Sequence, residues 1–120
     1  MTPTVMLIDD SKVVRMQAAR ALSVAGFEVV EAVDGLDAMT KLGEVDISLI
    51  VCDVHMPRMD GLQFVKWLAG QAKRPPVIML TAEGHPQQIQ EAKDNGAKGW
   101  MVKPLKPELL VSAARRLTGT

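Results

Sequence analysis

Three short runs, Val5-Met6-Leu7-Ile8, Leu49-Ile50-Val51-Cys52 and Val77-Ile78-Met79-Leu80, are apolar at every position. A strand with one face in water alternates apolar and polar residues, so runs like these belong to strands buried on both faces. Between them lie longer segments whose apolar residues recur at helical spacing. Strands that alternate with helices and have no wet face form a parallel sheet with helices packed on both sides. The crossovers of such a sheet are right-handed, which makes the fold doubly wound.

The first strand is expected over Thr4–Asp9. A helix capped by Asp10 or Ser11 follows, with Val14, Ala18, Ala21, Leu22 and Ala25 on its apolar side, and Gly26 stops it. The second strand is Phe27–Ala32, and Asp34 then caps a short helix over Leu36, Met39 and Leu42 that Gly43 closes. The third strand is Ile47–Cys52. A loop around Pro57 leads to a helix capped by Asp60, which buries residues from Leu62, Phe64, Val65 and Leu68. Val77–Leu80 is the fourth strand. Pro86 opens a helix ending at Asn95-Gly96, Ala97–Val102 is the fifth strand despite Gly99, and Pro107 opens the last helix.

The 120 residues, 48% of them hydrophobic, suit one domain with a real core, expected to span 1–120 with no output domain attached. Fourteen basic residues balance fourteen acidic ones along the whole chain, so a clustered basic face for nucleic acid is not expected. No run is long enough to span a membrane, and no leader pattern begins the chain. A single cysteine, Cys52, has no internal disulfide partner and fits a buried thiol in a cytoplasmic protein.

Ligands of doubly wound folds sit beyond the carboxyl ends of the strands. Asp9 and Asp10 follow the first strand, Asp53 the third, Thr81 the fourth and Lys103 the fifth. Singly, each has an ordinary explanation. Asp10 suits a helix cap, Asp53 a strand terminator, Thr81 a loop hydroxyl and Lys103 a solvated lysine. Together, they put three carboxylates and an ammonium on one edge. Adjacent aspartates repel, and that repulsion is offset when a cation lies between them. A hard divalent ion such as Mg²⁺, or Mn²⁺ in its place, takes oxygen ligands from one or two carboxylates and from phosphate. A carboxylate beside such an ion can itself accept a phosphoryl group.

The sequences Ile8-Asp9-Asp10-Ser11, Val51-Cys52-Asp53-Val54-His55-Met56-Pro57-Arg58-Met59-Asp60-Gly61, Leu80-Thr81-Ala82 and Lys103-Pro104, in this order and at this spacing, resemble the receiver domain of two-component response regulators, in the stand-alone style of chemotaxis regulators. The resemblance covers essentially the whole chain. It implies a flavodoxin-like, five-stranded parallel sheet in the order 2-1-3-4-5 with five helices. It implies that Asp53 is the phosphoacceptor, that Asp10 ligates Mg²⁺ directly, that Asp9 helps through water, and that the His55 backbone carbonyl completes the protein ligands. Thr81 and Lys103 match the phosphoryl-sensing hydroxyl and ammonium, and Lys103-Pro104 the family's cis peptide bond. Trp100 stands where the family has an aromatic switch, with packing against the last helix as its ordinary alternative. The side chains of His55 and Glu83 match positions that tune dephosphorylation, although His55 also reads as a solvent-facing loop residue.

A signalling switch rather than an enzyme is therefore expected. A sensor histidine kinase or phosphotransfer protein would phosphorylate it, and a downstream protein would bind its fourth-helix, fifth-strand, fifth-helix face. Lys93, Lys98, Trp100, Arg115 and Arg116 are candidates on that face. The alternative is a Mg²⁺-dependent phosphatase with an aspartyl nucleophile. That class usually carries its nucleophile in an Asp-x-Asp pattern after the first strand, where this chain has adjacent aspartates. A dinucleotide site is disfavoured because the first strand-helix turn, Asp9-Asp10-Ser11-Lys12, has no glycine.

Overall fold

The computed structural model of the protein describes residues 2–82 and 86–120. Its elements run β1 (Thr4–Ile8), α1 (Lys12–Val24), β2 (Glu28–Ala32), α2 (Gly35–Leu42), β3 (Leu49–Asp53), α3 (Gly61–Leu68), β4 (Val77–Thr81), α4 (Pro86–Asp94), β5 (Gly99–Val102) and α5 (Pro107–Thr118). All strands are parallel, in the order β2-β1-β3-β4-β5. No helix among the described residues is long and apolar enough to cross a membrane.

The uninterrupted apolar strands serve two cores at once. Met6, Ile8, Ile50, Cys52, Val77 and Met79 meet Ala38, Phe64, Val65, Leu68 and Ala92 from α2, α3 and α4. Their strand neighbours Val5, Leu7, Leu49, Val51, Ile78 and Leu80 meet Ala18 and Leu22 of α1 and Leu110 and Ala114 of α5. Successive side chains of a strand point to opposite faces, so a sheet covered on both sides needs apolar residues at every position.

Local signals set most helix ends. Ser11, not Asp10, caps α1 by accepting from the Val14 amide. Asp34 caps α2 through the Asp37 amide. Asp60 and Gln63 close a reciprocal capping box on α3. After α1 the chain reverses at Gly26, whose φ of 97° is unfavourable for other residues, and the Phe27 amide reaches back to the Leu22 carbonyl.

Strand boundaries differ from the sequence expectation by one or two residues. β1 stops at Ile8, while β3 and β4 run one residue further, so Asp53 and Thr81 are the last ladder residues rather than the first loop residues. Leu80 aligns with Asp53 and Val102 with Thr81, so the longer neighbours carry the ladder onward. Ile47 packs on the core but lies outside β3.

Candidate functional site

The strand order reverses between β1 and β3, and the register there sets the site. Ile8 aligns with Cys52, so Asp9 and Asp53, the next residue on each strand's path, come level across the crevice. Both are buried, whereas Asp10 is exposed. One carboxylate oxygen from each of Asp9, Asp10 and Asp53 falls within 4.8 Å of the others.

Lys103 follows the end of β5 and precedes a cis peptide bond to Pro104, and its amide donates to the Thr81 carbonyl at 2.7 Å. Its ammonium lies 3.2 Å from Asp9 Oδ2 and donates to Asp53 Oδ2 at 3.3 Å. Asp9 Oδ1 accepts from the Ser11 amide at 2.8 Å, while Asp9 Oδ2 accepts no well-aligned hydrogen bond among the described residues. Arg15 secures this turn from below, donating to the Asp9 carbonyl at 2.6 Å and to Glu31 on β2 at 3.0 Å.

The electrostatics differ from what adjacency suggests. Asp9 and Asp53, far apart in sequence, repel each other across the crevice. Burial, and then the Asp9 charge, push the Asp53 carboxyl above its ordinary range, against the pull of Lys103 and the His55 amide. Burial lowers the Lys103 ammonium, but the Asp9 and Asp53 charges outweigh it and hold its pKa above the usual lysine value. Burial and the same acidic neighbours raise the Cys52 thiol well above its ordinary value, which keeps it protonated and inert.

The site therefore offers clustered oxygen donors, two of them buried, one with an oxygen not saturated by hydrogen bonds. That donor chemistry fits a hard divalent cation and does not suit a soft one. Thr81 is fully buried at the end of β4, beside this cluster in the sheet. The His55 side chain is exposed, and its main chain turns toward Asp53. Glu83 lies outside the described residues.

Two expectations are corrected. Trp100 aligns with Met79 and packs with the α3 and α4 core, so it does not rest on α5; strand alternation sends Met101 to α5 instead. Its indole Nε1 is buried with no hydrogen-bond partner among the described residues. Arg115 reaches the Ala25 carbonyl at the end of α1, 3.5 Å away, and so faces the α1–α5 groove rather than the α4–β5–α5 surface. Lys93, Lys98 and Arg116 are exposed as expected.

Sequence reasoning also missed residues that hold the site together. A Cβ at Gly61 would stand 2.1 Å from the Asp53 carbonyl oxygen, so only glycine lets α3 begin this close to the strand end. Arg58 reaches across to Asp34, 24 residues away in sequence. A glycine directly after a helix cap was a legible hint of the first; nothing local pairs Arg58 with Asp34.

A parallel five-stranded switch-point fold with an acidic crevice and a lysine opposite defines a class, and comparison with known proteins identifies it. The response regulator receiver domain profile matches residues 5–115, and the chain belongs to that family of phosphorylation-dependent switches of two-component signalling. Protein PilG of Pseudomonas aeruginosa is 34% identical over 113 residues, which are 92% of this chain and 84% of PilG. Response regulator MprA of Mycobacterium tuberculosis is 32% identical over 98% of this chain, which spans only 51% of MprA. Among solved structures, chemotaxis protein CheY4 of Vibrio cholerae superposes with a TM-score of 0.90 at 39% identity, covering 98% of this chain and 99% of CheY4.

Proposed function

We propose that the domain switches by accepting a phosphoryl group on Asp53 from a sensor histidine kinase or a phosphotransfer protein, and that it works in the cytoplasm. The observation that carries this reading is the placement of the Asp53 carboxylate: buried at the end of β3, level with Asp9 and bonded to Lys103. An Asp53 oxygen attacks phosphorus, the bond from phosphorus to the donor nitrogen or oxygen breaks, and the leaving group keeps the electron pair. An acyl phosphate results. Its fresh negative charge lands among carboxylates, which is why the site needs more cation than one lysine.

Asp10 and Asp53, with the His55 carbonyl, would hold Mg²⁺ directly, and Asp9 would act through water. When bound, that ion supplies positive charge to the phosphoryl oxygens. Lys103 orients Asp53 beforehand and then donates to a phosphoryl oxygen, a charge-assisted bond. The Thr81 hydroxyl supplies a second donor from β4. Thr81 and Trp100 share one sheet face, because Thr81 aligns with Val102, two residues beyond Trp100. A shift of Thr81 is thereby felt by the indole, which supports Trp100 as the switch residue. The exposed His55 side chain, with Glu83, would set how fast water removes the phosphoryl group. The α4–β5–α5 surface, with exposed Val102, Leu109, Lys93, Lys98 and Arg116, is the site for a downstream protein.

The test is intact-mass analysis after incubation with Mg²⁺ and acetyl phosphate. One phosphoryl adduct that chelator prevents and Asp53→Ala abolishes is expected. Undiminished labelling of Asp53→Ala would overturn the assignment, and turnover of external phosphoesters would favour a phosphatase instead.

A further inference from the structure

The loop from β3 to α3, residues 54–60, carries the His55 main chain past Asp53, and it is fastened in the middle by a different part of the sheet. Arg58 donates from Nε at 2.7 Å and from Nη2 to the same oxygen, Asp34 Oδ2. Asp34 is 2% exposed, and its other oxygen accepts from the Asp37 amide at 2.9 Å as the cap of α2. The next residue, Met59, lies so close to Gly35 that a Cβ there would stand 2.7 Å from its sulfur. The β2–α2 corner thus grips two consecutive loop residues, one by charge and one by packing.

Arg58 has a φ of 65° and is the one non-glycine residue with positive φ among those described. Glycine adopts that conformation without steric cost, and arginine does not. From this conformation the guanidinium reaches Asp34. The loop's far end is equally constrained, since the Gly61 amide donates to the Val54 carbonyl at 2.8 Å.

We infer that Arg58 and Asp34 are a positioning pair for the metal and phosphoryl site, holding the loop so that the His55 main chain stays beside Asp53. This rests on the reading of that site as a Mg²⁺ site. Neither residue touches the acidic cluster; they act through the loop. Groups that orient ligands in this way are often worth as much to affinity as a weak ligand.

Two substitutions separate positioning from stability. Arg58→Gly removes the grip, and the relieved backbone conformation offsets part of the cost of leaving the buried Asp34 carboxylate without its guanidinium. Asp34→Asn removes the charge and keeps a good capping side chain. Mg²⁺ affinity is measured by titration calorimetry at a temperature where circular dichroism shows every variant folded. Each variant is expected to bind Mg²⁺ roughly tenfold more weakly, the lower end for lost orienting groups. The double variant should be no weaker than the weaker single, because either change releases the same loop. Arg58→Lys should recover part of the loss, and amide exchange at residues 54–60 should quicken in Arg58→Gly. Lys73→Ala, which breaks an exposed pair with Asp46 away from the acidic cluster, should leave affinity unchanged. Wild-type affinity in both Arg58→Gly and Asp34→Asn would overturn the inference, as would additive losses in the double variant. Absence of Mg²⁺ binding in the wild type, or binding that survives Asp53→Ala, would instead overturn the underlying metal reading.

Discussion

Replacing Lys103 with methionine keeps most of the side-chain volume and removes the one ammonium in contact with two buried carboxylates. The distances allow an estimate. At 3.2 Å from Asp9 and 3.3 Å from Asp53, each attraction is gross about 5 kcal/mol at an effective dielectric near 20. Carboxylate oxygens within 4.8 Å of one another repel by at least about 3.5 kcal/mol on the same scale. Without Lys103 that repulsion stands uncompensated. The gross figures shrink because ion desolvation is recovered and because the Lys103 side chain is 22% exposed. Breaking a buried pair by removing one partner typically costs about 3–5 kcal/mol. The partial exposure lowers that to about 2–3 kcal/mol here. In urea or thermal melts with EDTA, Lys103→Met should be less stable by that amount.

The same change should tighten Mg²⁺ binding, because the ammonium and the metal ion neutralise the same charges and compete. A ligand that binds only the folded state stabilises it by RT ln(1 + [L]/Kd), about 2.7 kcal/mol at a hundredfold excess over Kd. The stability gap between variant and wild type should therefore narrow as Mg²⁺ rises from zero to 10–100 times Kd, roughly the range over which this linkage grows. The pH dependence has a definite sign: a lysine whose pKa is raised on folding stabilises below its ordinary value of 10.5 and loses that contribution as pH climbs through the folded value. A gap that stays constant across the Mg²⁺ series would refute the argument that Lys103 is the counter-ion of the acidic crevice.

Three further outcomes follow from the geometry. Asp10 is exposed and Ser11 makes the helix cap, so Asp10→Ala in EDTA should stay within about 0.5 kcal/mol of wild type; calorimetry should show Mg²⁺ binding weakened at least about tenfold, or 1.4 kcal/mol. Gly61→Ala drives a methyl into the Asp53 carbonyl and the Val54 Cα, both backbone; urea unfolding should show a loss of about 2–3 kcal/mol, with Mg²⁺ affinity falling alongside. Burial would raise the Asp34 carboxyl, but the Asp37 amide and Arg58 outweigh it and hold the pKa below its ordinary value. Its ionised form therefore stabilises the fold above that value and ceases to as pH falls below about 3.9. Asp34→Asn should consequently be less stable at pH 7 and converge with wild type in acid melts, and a gap unchanged down to acid unfolding would exclude this.

The sequence by itself determined the strand-helix alternation, because strands buried on two faces cannot hide their composition. It also determined the caps at Asp34 and Asp60, whose side chains act on amides three residues away, and narrowed the α1 cap to Asp10 or Ser11, between which the structure chose Ser11. The candidate site residues were legible for a related reason: each follows an apolar run, and parallel strands bring such ends to one edge. The tertiary structure decided what depends on register and on partners far along the chain. Register brought Asp9 and Asp53 level across the crevice, where they repel, and left Asp10 in solvent. Strand parity over a one-residue shift put Trp100 against α3 and α4 instead of α5. The Arg58–Asp34 grip joins loops 24 residues apart, and charge pairing at that range has no local pattern, because it exists only once the sheet has set β1 between β2 and β3.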